Sequence, residues 1–167
     1  MPVGLKQSSA TVAIGFGFNE SAANTFTEGS VDLNLSPLDR EVFVVTAINI
    51  DPSSPDMGAT NSRTTCSLTT TSQTALATLA DANCLAVAQQ SIIADATRAV
   101  AFQQQSLETP PTTSDYIGII ATNDFFVQIL GQGNAAAKSV SGKVYGYRAV
   151  ANADIYAALV QSEVLSA

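Results

Sequence analysis

The chain has no histidine, no tryptophan and only two cysteines in 167 residues. Without histidine it lacks the commonest general base and the commonest transition-metal ligand. A serine nucleophile would need a lysine as its base, and none of Lys6, Lys138 and Lys143 stands in an SxxK pattern. Cys66 and Cys84 lie far apart with no CxxC, so they cannot make a zinc site alone. They read as two buried thiols, with a single disulfide as the other reading. The absence of tryptophan and the small number of tyrosines remove the usual aromatic platforms of sugar sites. A carboxylate pair for glycoside hydrolysis stays open, because folding and not sequence spacing sets such pairs. The missing acid–base set points away from an enzyme: no catalytic residue, no cofactor and no metal ligand is assigned.

Charge is scarce as well. Charged residues make up 13% of the chain and hydrophobic ones 46%, where roughly 25% charged is typical. Ser, Thr, Ala, Asn and Gln do the covering that ions normally do. Such a surface is cheap to strip of water, which suits wide contact with other protein. The net charge is −7, and the seven cations are scattered. No basic arm or stripe exists to release counterions from phosphates, so no direct nucleic-acid binding is expected. The acidic, lysine-poor balance suits a high-salt medium and equally suits plain solubility. No window approaches the ~18–20 consecutive apolar residues of a membrane span. The opening MPVGLKQSSA lacks the basic-then-apolar layout of a secretion signal, so assembly inside the cell is expected.

What is present is strand pattern. In TVAIGFGFN (11–19), Val12, Ile14, Phe16 and Phe18 form a bulky face, while Ala13, Gly15 and Gly17 leave the other face bare. A dinucleotide loop would need G-x-G-x-x-G before a helix. Here Glu20 stands where the third glycine belongs. The glycines read instead as places of close backbone packing or a strand kink. VDLNL (31–35) alternates like a half-exposed strand, ended by Ser36-Pro37. REVFVVTAINID (40–51) places Val42, Val44, Thr46, Ile48 and Ile50 on one side and Phe43, Val45 and Ala47 on the other. Both faces are apolar, so this strand is expected to be central and covered twice. A long exposed loop follows at 52–62, then a Thr-rich strand. Asp81 is placed to cap a short helix near 82–90, with Leu85, Ala88 and Ile92 on one stripe, followed by a strand near 97–104. ETPPTTSD (108–115) reads as a loop. Strands are expected at 116–121, 124–132 and 142–151. Asn152 is placed to cap a last helix with Ile155 and Leu159 on one face. About seven or eight strands with Pro- and Gly-bearing turns make an all-β, single-domain antiparallel β-sandwich over 1–167, with a Greek-key or jelly-roll connection and one or two short helices.

Three polar features remain. Asp51, Asp56 and Asp124 are the candidates to gather around calcium, without EF-hand spacing; the plainer reading is a solvated turn. Asn19-Glu20-Ser21 is a formal glycosylation sequon that reads as chance without an export signal. Arg148, between Tyr147 and Ala149, reads as a solvent-side charge or an interface ion pair.

The C-terminal third carries a resemblance. Thr122-Asn123-Asp124-Phe125-Phe126, then Val144-Tyr145-Gly146-Tyr147-Arg148-Ala149, then Tyr156-Ala157-Ala158-Leu159-Val160-Gln161-Ser162-Glu163 resemble the end of the capsid proteins of tailless icosahedral viruses with an internal membrane that infect halophilic archaea. DREVFVVTAINID (39–51) resembles their first long strand. The likeness covers the last 50 or so residues well and the earlier half loosely. It implies a single jelly roll of the small type, standing upright in the shell. It also implies partners: like subunits and a related larger capsid protein in pseudo-hexameric capsomers, over a lipid vesicle enclosing double-stranded DNA. A membrane between shell and genome would make a basic arm unnecessary. The modest acidic fraction departs from what a halophile product shows. The reading from another class is a carbohydrate- or ligand-binding β-sandwich of a spike or appendage.

Overall fold

A computed structural model describes residues 1–105 and 114–166, so most of the expected 108–115 loop lies outside the described residues. Ten strands and one helix follow in the order β1 (Leu5–Gln7), β2 (Val12–Asn19), β3 (Thr27–Asp32), β4 (Glu41–Pro52), β5 (Ser62–Thr69), β6 (Cys84–Ala94), β7 (Ala99–Gln105), β8 (Gly118–Ile120), β9 (Asp124–Gln132), β10 (Ser139–Ala151) and α1 (Ala153–Leu165). They form two five-stranded sheets. The first has the order β1-β10-β4-β8, with β2 also on β10; the second has the order β3-β9-β5-β6-β7.

The pairing explains the winding. β2 pairs with β10, β3 with β9, β4 with β8 and β5 with β6, all antiparallel. The outermost strand of the chain thus meets the last, and each pair inward does the same. This is one long ribbon, closed at the 70–83 connection and rolled so that successive pairs fall into opposite sheets. β10–β4 and β9–β5 contacts stitch the roll together. The fold is therefore a jelly-roll β-sandwich of eight strands, with β1 and β7 added.

Between the sheets lie Phe43, Val45, Ile48, Ile50, Val140 and Val144 from the first, and Cys66, Leu68, Ala86, Ala88, Phe125, Val127 and Ile129 from the second. Each large side chain buried there contributes roughly 1.5–3 kcal/mol. A second apolar layer covers the outer side of the first sheet, where α1 sets Ile155, Tyr156, Leu159 and Val160 on Leu5, Val42, Val44, Tyr147, Ala149 and Ala151. β4 is indeed covered on both faces. The sides differ from a single alternation, however. Phe43 and Val45 face the sandwich, and so do Ile48 and Ile50. The register slips opposite Tyr145/Gly146, so Thr46 is the extra residue of a β-bulge. Its Oγ1 donates to Tyr145 O at 3.1 Å. One inserted residue reverses every later side chain.

Two further expectations change. The helix near 82–90 is instead β6, paired with β5 on one side and β7 on the other. Ala86 and Ala88 are buried at a period of two, and cross-strand pairing overrides the helix-favouring alanines. Asp81 caps no helix: its Oδ2 accepts from Thr78 N at 2.6 Å and closes a turn. β3 ends at Asp32, short of 35. Asp32 Oδ1 accepts from Asn34 N at 2.7 Å, Asn34 takes φ +51°, and the chain turns while Leu33 and Leu35 stay buried. The last helix forms as expected, with Asn152 Oδ1 accepting from Ile155 N at 2.9 Å.

Candidate interaction surfaces

On the second sheet, outward side chains of neighbouring strands pair as neutral hydrogen bonds. Thr65 Oγ1 donates to Gln89 Oε1 at 3.1 Å, and Ser67 Oγ donates to Gln128 Oε1 at 2.7 Å. Gln128, fully buried, donates from Nε2 to Thr69 Oγ1 and to Glu28 Oε2, both at 2.8 Å. Glu28 also accepts from Ser72 Oγ and from Gln73 N, which pulls the 70–83 connection over this end of the sheet. Farther along, Arg63 Nε donates to Gln132 Oε1. Hollows of about 370 Å³ and 330 Å³ lie on this face; Arg63 and Gln89 line both. Beside them, Ile93 and Val100 stand opposite each other on β6 and β7, and Phe102 is two residues on. All three are more than half exposed. β7 pairs only with β6 among the described strands. An apolar strip therefore runs onto the last described strand of this sheet.

The first sheet offers a different surface beyond α1. The exposed face of β2 is bare, as the alternation implied. Ile14, Phe16 and Phe18 pack on the core, while Val12 stays 41% exposed. Among the described residues no other backbone presses on the bare side. A Cβ on Gly15 would meet only Gly142 O at 4.0 Å, and one on Gly17 only Val140 O at 3.8 Å. This side opens on a shallow hollow of about 490 Å³ with Asn49, Asp51, Ser141, Lys143 and Tyr145 around it.

The polar residues singled out by sequence do not converge. Asp56 is held by Lys138 Nζ and by the N–H groups of Ala135 and Ala136. The Lys138 hydrogen bond, then the Ala136 N–H, lower its pKa. Asp51 lies on the outer face of β4, and Asp124 starts β9 opposite Asp32. No group of three or more His, Cys, Asp or Glu able to hold a metal occurs among the described residues. Arg148 is half-buried and intramolecular, with one guanidinium nitrogen donating to Leu33 O at 2.9 Å and another 3.7 Å from Glu41. Cys66 donates its thiol to Ala88 O, and burial pushes its pKa up to about 12. Cys84 lies farther along the β5–β6 ladder, opposite Thr69, and no disulfide joins the two.

Two carboxylates escaped the sequence reading. Glu20, buried inside the sequon, accepts from Gly131 N and Lys138 N and ties the end of β2 to the β9–β10 turn. Glu163, buried on α1, accepts from Ala121 N and Thr122 N through Oε2. Neither has a local signal, because their donors lie 111 and 42 residues away. No described helix is long and apolar enough to cross a membrane.

No family model matches the chain, and no curated protein matches it. A solved structure titled Desmodium yellow mottle tymovirus is similar over 92% of this chain and 94% of that one, at 12% identity and a TM-score of 0.36. A likeness so distant carries no function.

Proposed function

We propose that this chain is a structural, non-enzymatic capsid subunit, one jelly-roll domain over 1–167. It assembles in the host cytoplasm with like subunits and a related larger capsid protein into pseudo-hexameric capsomers of an icosahedral shell. The shell lies over an internal membrane and makes no direct contact with nucleic acid. One observation carries this reading. The outward face of the second sheet carries the partly exposed neutral pair Thr65–Gln89 and, beside it, the exposed Ile93–Val100–Phe102 strip that runs onto β7. Neutral paired groups cost far less to desolvate than ions. The apolar strip supplies the attraction. A stable contact needs on the order of 1,600 Å² of buried surface, which a broad sheet face can provide.

The resemblance supports the same reading. Its three matched segments fall at the start of β9, in β10 and on α1. Of these residues, Phe125 and Val144 fill the sandwich, and Tyr147, Ala149, Tyr156, Leu159 and Val160 build the layer under the helix.

Light scattering after size separation, with electron micrographs of the same fractions, tests the proposal. Capsomer-sized or larger regular assemblies are expected. A strict monomer at every protein and salt concentration, with measurable glycan binding, would overturn it in favour of a ligand-binding sandwich.

A further inference from the structure

A cavity of about 230 Å³ lies between α1, β8 and the 70–83 connection. Leu85, Ile117, Ile119 and Leu159 make much of its wall apolar. Its buried polar part comes from Thr70 and Glu163, both more than nine-tenths buried. Glu163 Oε2 accepts from Ala121 N at 2.9 Å and from Thr122 N at 3.0 Å. Oε1 and Thr70 Oγ1 make no well-formed hydrogen bond, although the Thr70 hydroxyl is near enough to turn its hydrogen towards the carboxylate. Burial raises the Glu163 pKa, and these neighbouring donors oppose the rise. None of the ion pairs among the described residues includes Glu163. Ser162, Glu163 and Ser166 bring the last turn and the cap of α1 to the cavity, and that turn holds no basic residue. The carbonyl end of a helix is the negative end of its dipole. Two sources of negative charge therefore meet here with no cation between them.

We propose that this cavity binds a primary alkylammonium group, its charged head on Glu163 and Thr70 and its alkyl stem against the apolar wall. The donors and acceptors select that chemistry. A carboxylate offers about four lone-pair sites. Ala121 N, Thr122 N and the Thr70 hydrogen fill three of them and leave one on Oε1. A Thr70 hydroxyl that donates in this way keeps its oxygen free to accept. What the cavity lacks is donors and positive charge. An ammonium brings three N–H donors, a full charge and no acceptor. One N–H serves Oε1 and a second serves Thr70 Oγ1. Water would bring no charge and would find few partners along the apolar wall. A calcium ion wants about six to eight oxygen ligands, which Leu85, Ile117, Ile119 and Leu159 do not supply. A four-carbon stem with an ammonium head, as in lysine, lies along apolar surface and delivers a compact charge at its tip. Hydrogen bonds on both partners offset the cost of taking such a pair out of water. The site does not depend on the capsid reading.

Titration of the native chain with n-butylammonium chloride at neutral pH, followed through amide shifts by NMR, tests it. Binding should saturate at millimolar concentration, a range open to a ligand of so few atoms. The shifts should centre on Ala121, Thr122 and the last turn of α1. n-Butanol keeps the stem and loses the charge, while methylammonium keeps the charge and loses most of the stem. Each should bind at least about tenfold more weakly. Glu163→Gln keeps the shape and removes the charge. It should weaken n-butylammonium at least about tenfold and leave n-butanol unchanged. Nα-acetyl-lysine methylamide separates the two sources of such a group. Binding as tight as that of n-butylammonium assigns the site to a lysine of another chain, and exclusion assigns it to a free amine. Absence of saturable n-butylammonium binding to the native chain overturns the proposal without any variant. n-Butanol bound as tightly by the native chain, shifts centred away from α1 and β8, or an unchanged affinity in Glu163→Gln overturns it as well.

Discussion

Glycines at similar strand positions do opposite things here. Gly29 lies under the Phe18 ring, whose Cζ would be 2.6 Å from an added Cβ. Gly17 on β2 has room for a Cβ, which would meet only Val140 O at 3.8 Å. Gly29→Val should therefore cost about 1–3 kcal/mol by forcing Phe18 off its place. Gly17→Val should change stability by less than about 0.5 kcal/mol. Thermal unfolding of the two variants checks this contrast, and equal losses would show that the bare face is covered. The alternation at 11–19 was enough to send Ile14, Phe16 and Phe18 inward. It could not say which glycines meet backbone. Gly142 approaches Asn49 O and Gly146 approaches Val44 O across a pairing of distant segments, and Gly133 approaches Asn61 O. The buried thiol is testable at this scale too. With its pKa pushed up to about 12, Cys66 should resist alkylation at pH 8 in the folded protein and react only in denaturant. Labelling of Cys66 without denaturant would mean that β5 and β6 separate.

At the scale of elements, period and turn chemistry made β2, β4, β9, β10 and α1 legible. The failures have physical causes. A bulge at Thr46 leaves no mark on hydrophobicity, yet it reverses the sides of Ile48 and Ile50. The alanines of β6 suit a helix as well as they suit a strand facing a close neighbour, and pairing on both sides decides. Glu163 and Gln128 read as surface residues until the helix and the 70–83 connection close over them. β7 carries the clearest consequence. Val100 and Phe102 are 56% and 53% exposed, so Val100→Ser with Phe102→Ser removes little buried area. The double variant should leave thermal unfolding of the subunit nearly unchanged and weaken self-association at least tenfold, by sedimentation. An unchanged association constant would move the contact away from this edge.

For the whole molecule, the scarcity of charge and the sign of the remainder act in opposite directions. The neutral Thr65–Gln89 pair and the apolar strip beside it on the second sheet make that face cheap to bury, and each copy still carries a net charge of −7. Copies brought together repel over distances comparable to the Debye length, about 10 Å at 0.1 M salt and 3 Å at 1 M. Two of the cations cannot answer acidic groups on a neighbour without breaking bonds at home, since Lys138 is held by Asp56 and Arg148 by Glu41 and Leu33 O. Five cations per copy remain against fourteen acidic residues, so salt has more repulsion than attraction to screen. Association should strengthen steadily as sodium chloride rises from 0.05 to 1 M, while thermal stability of the isolated subunit moves little. Sedimentation at fixed protein concentration across that series measures the balance. Association that weakens with salt would mean that cross-subunit ion pairs dominate. The surfaces to search would then be those around Lys6, Arg40, Arg63, Arg98 and Lys143, whose charges no ion pair within the described residues engages.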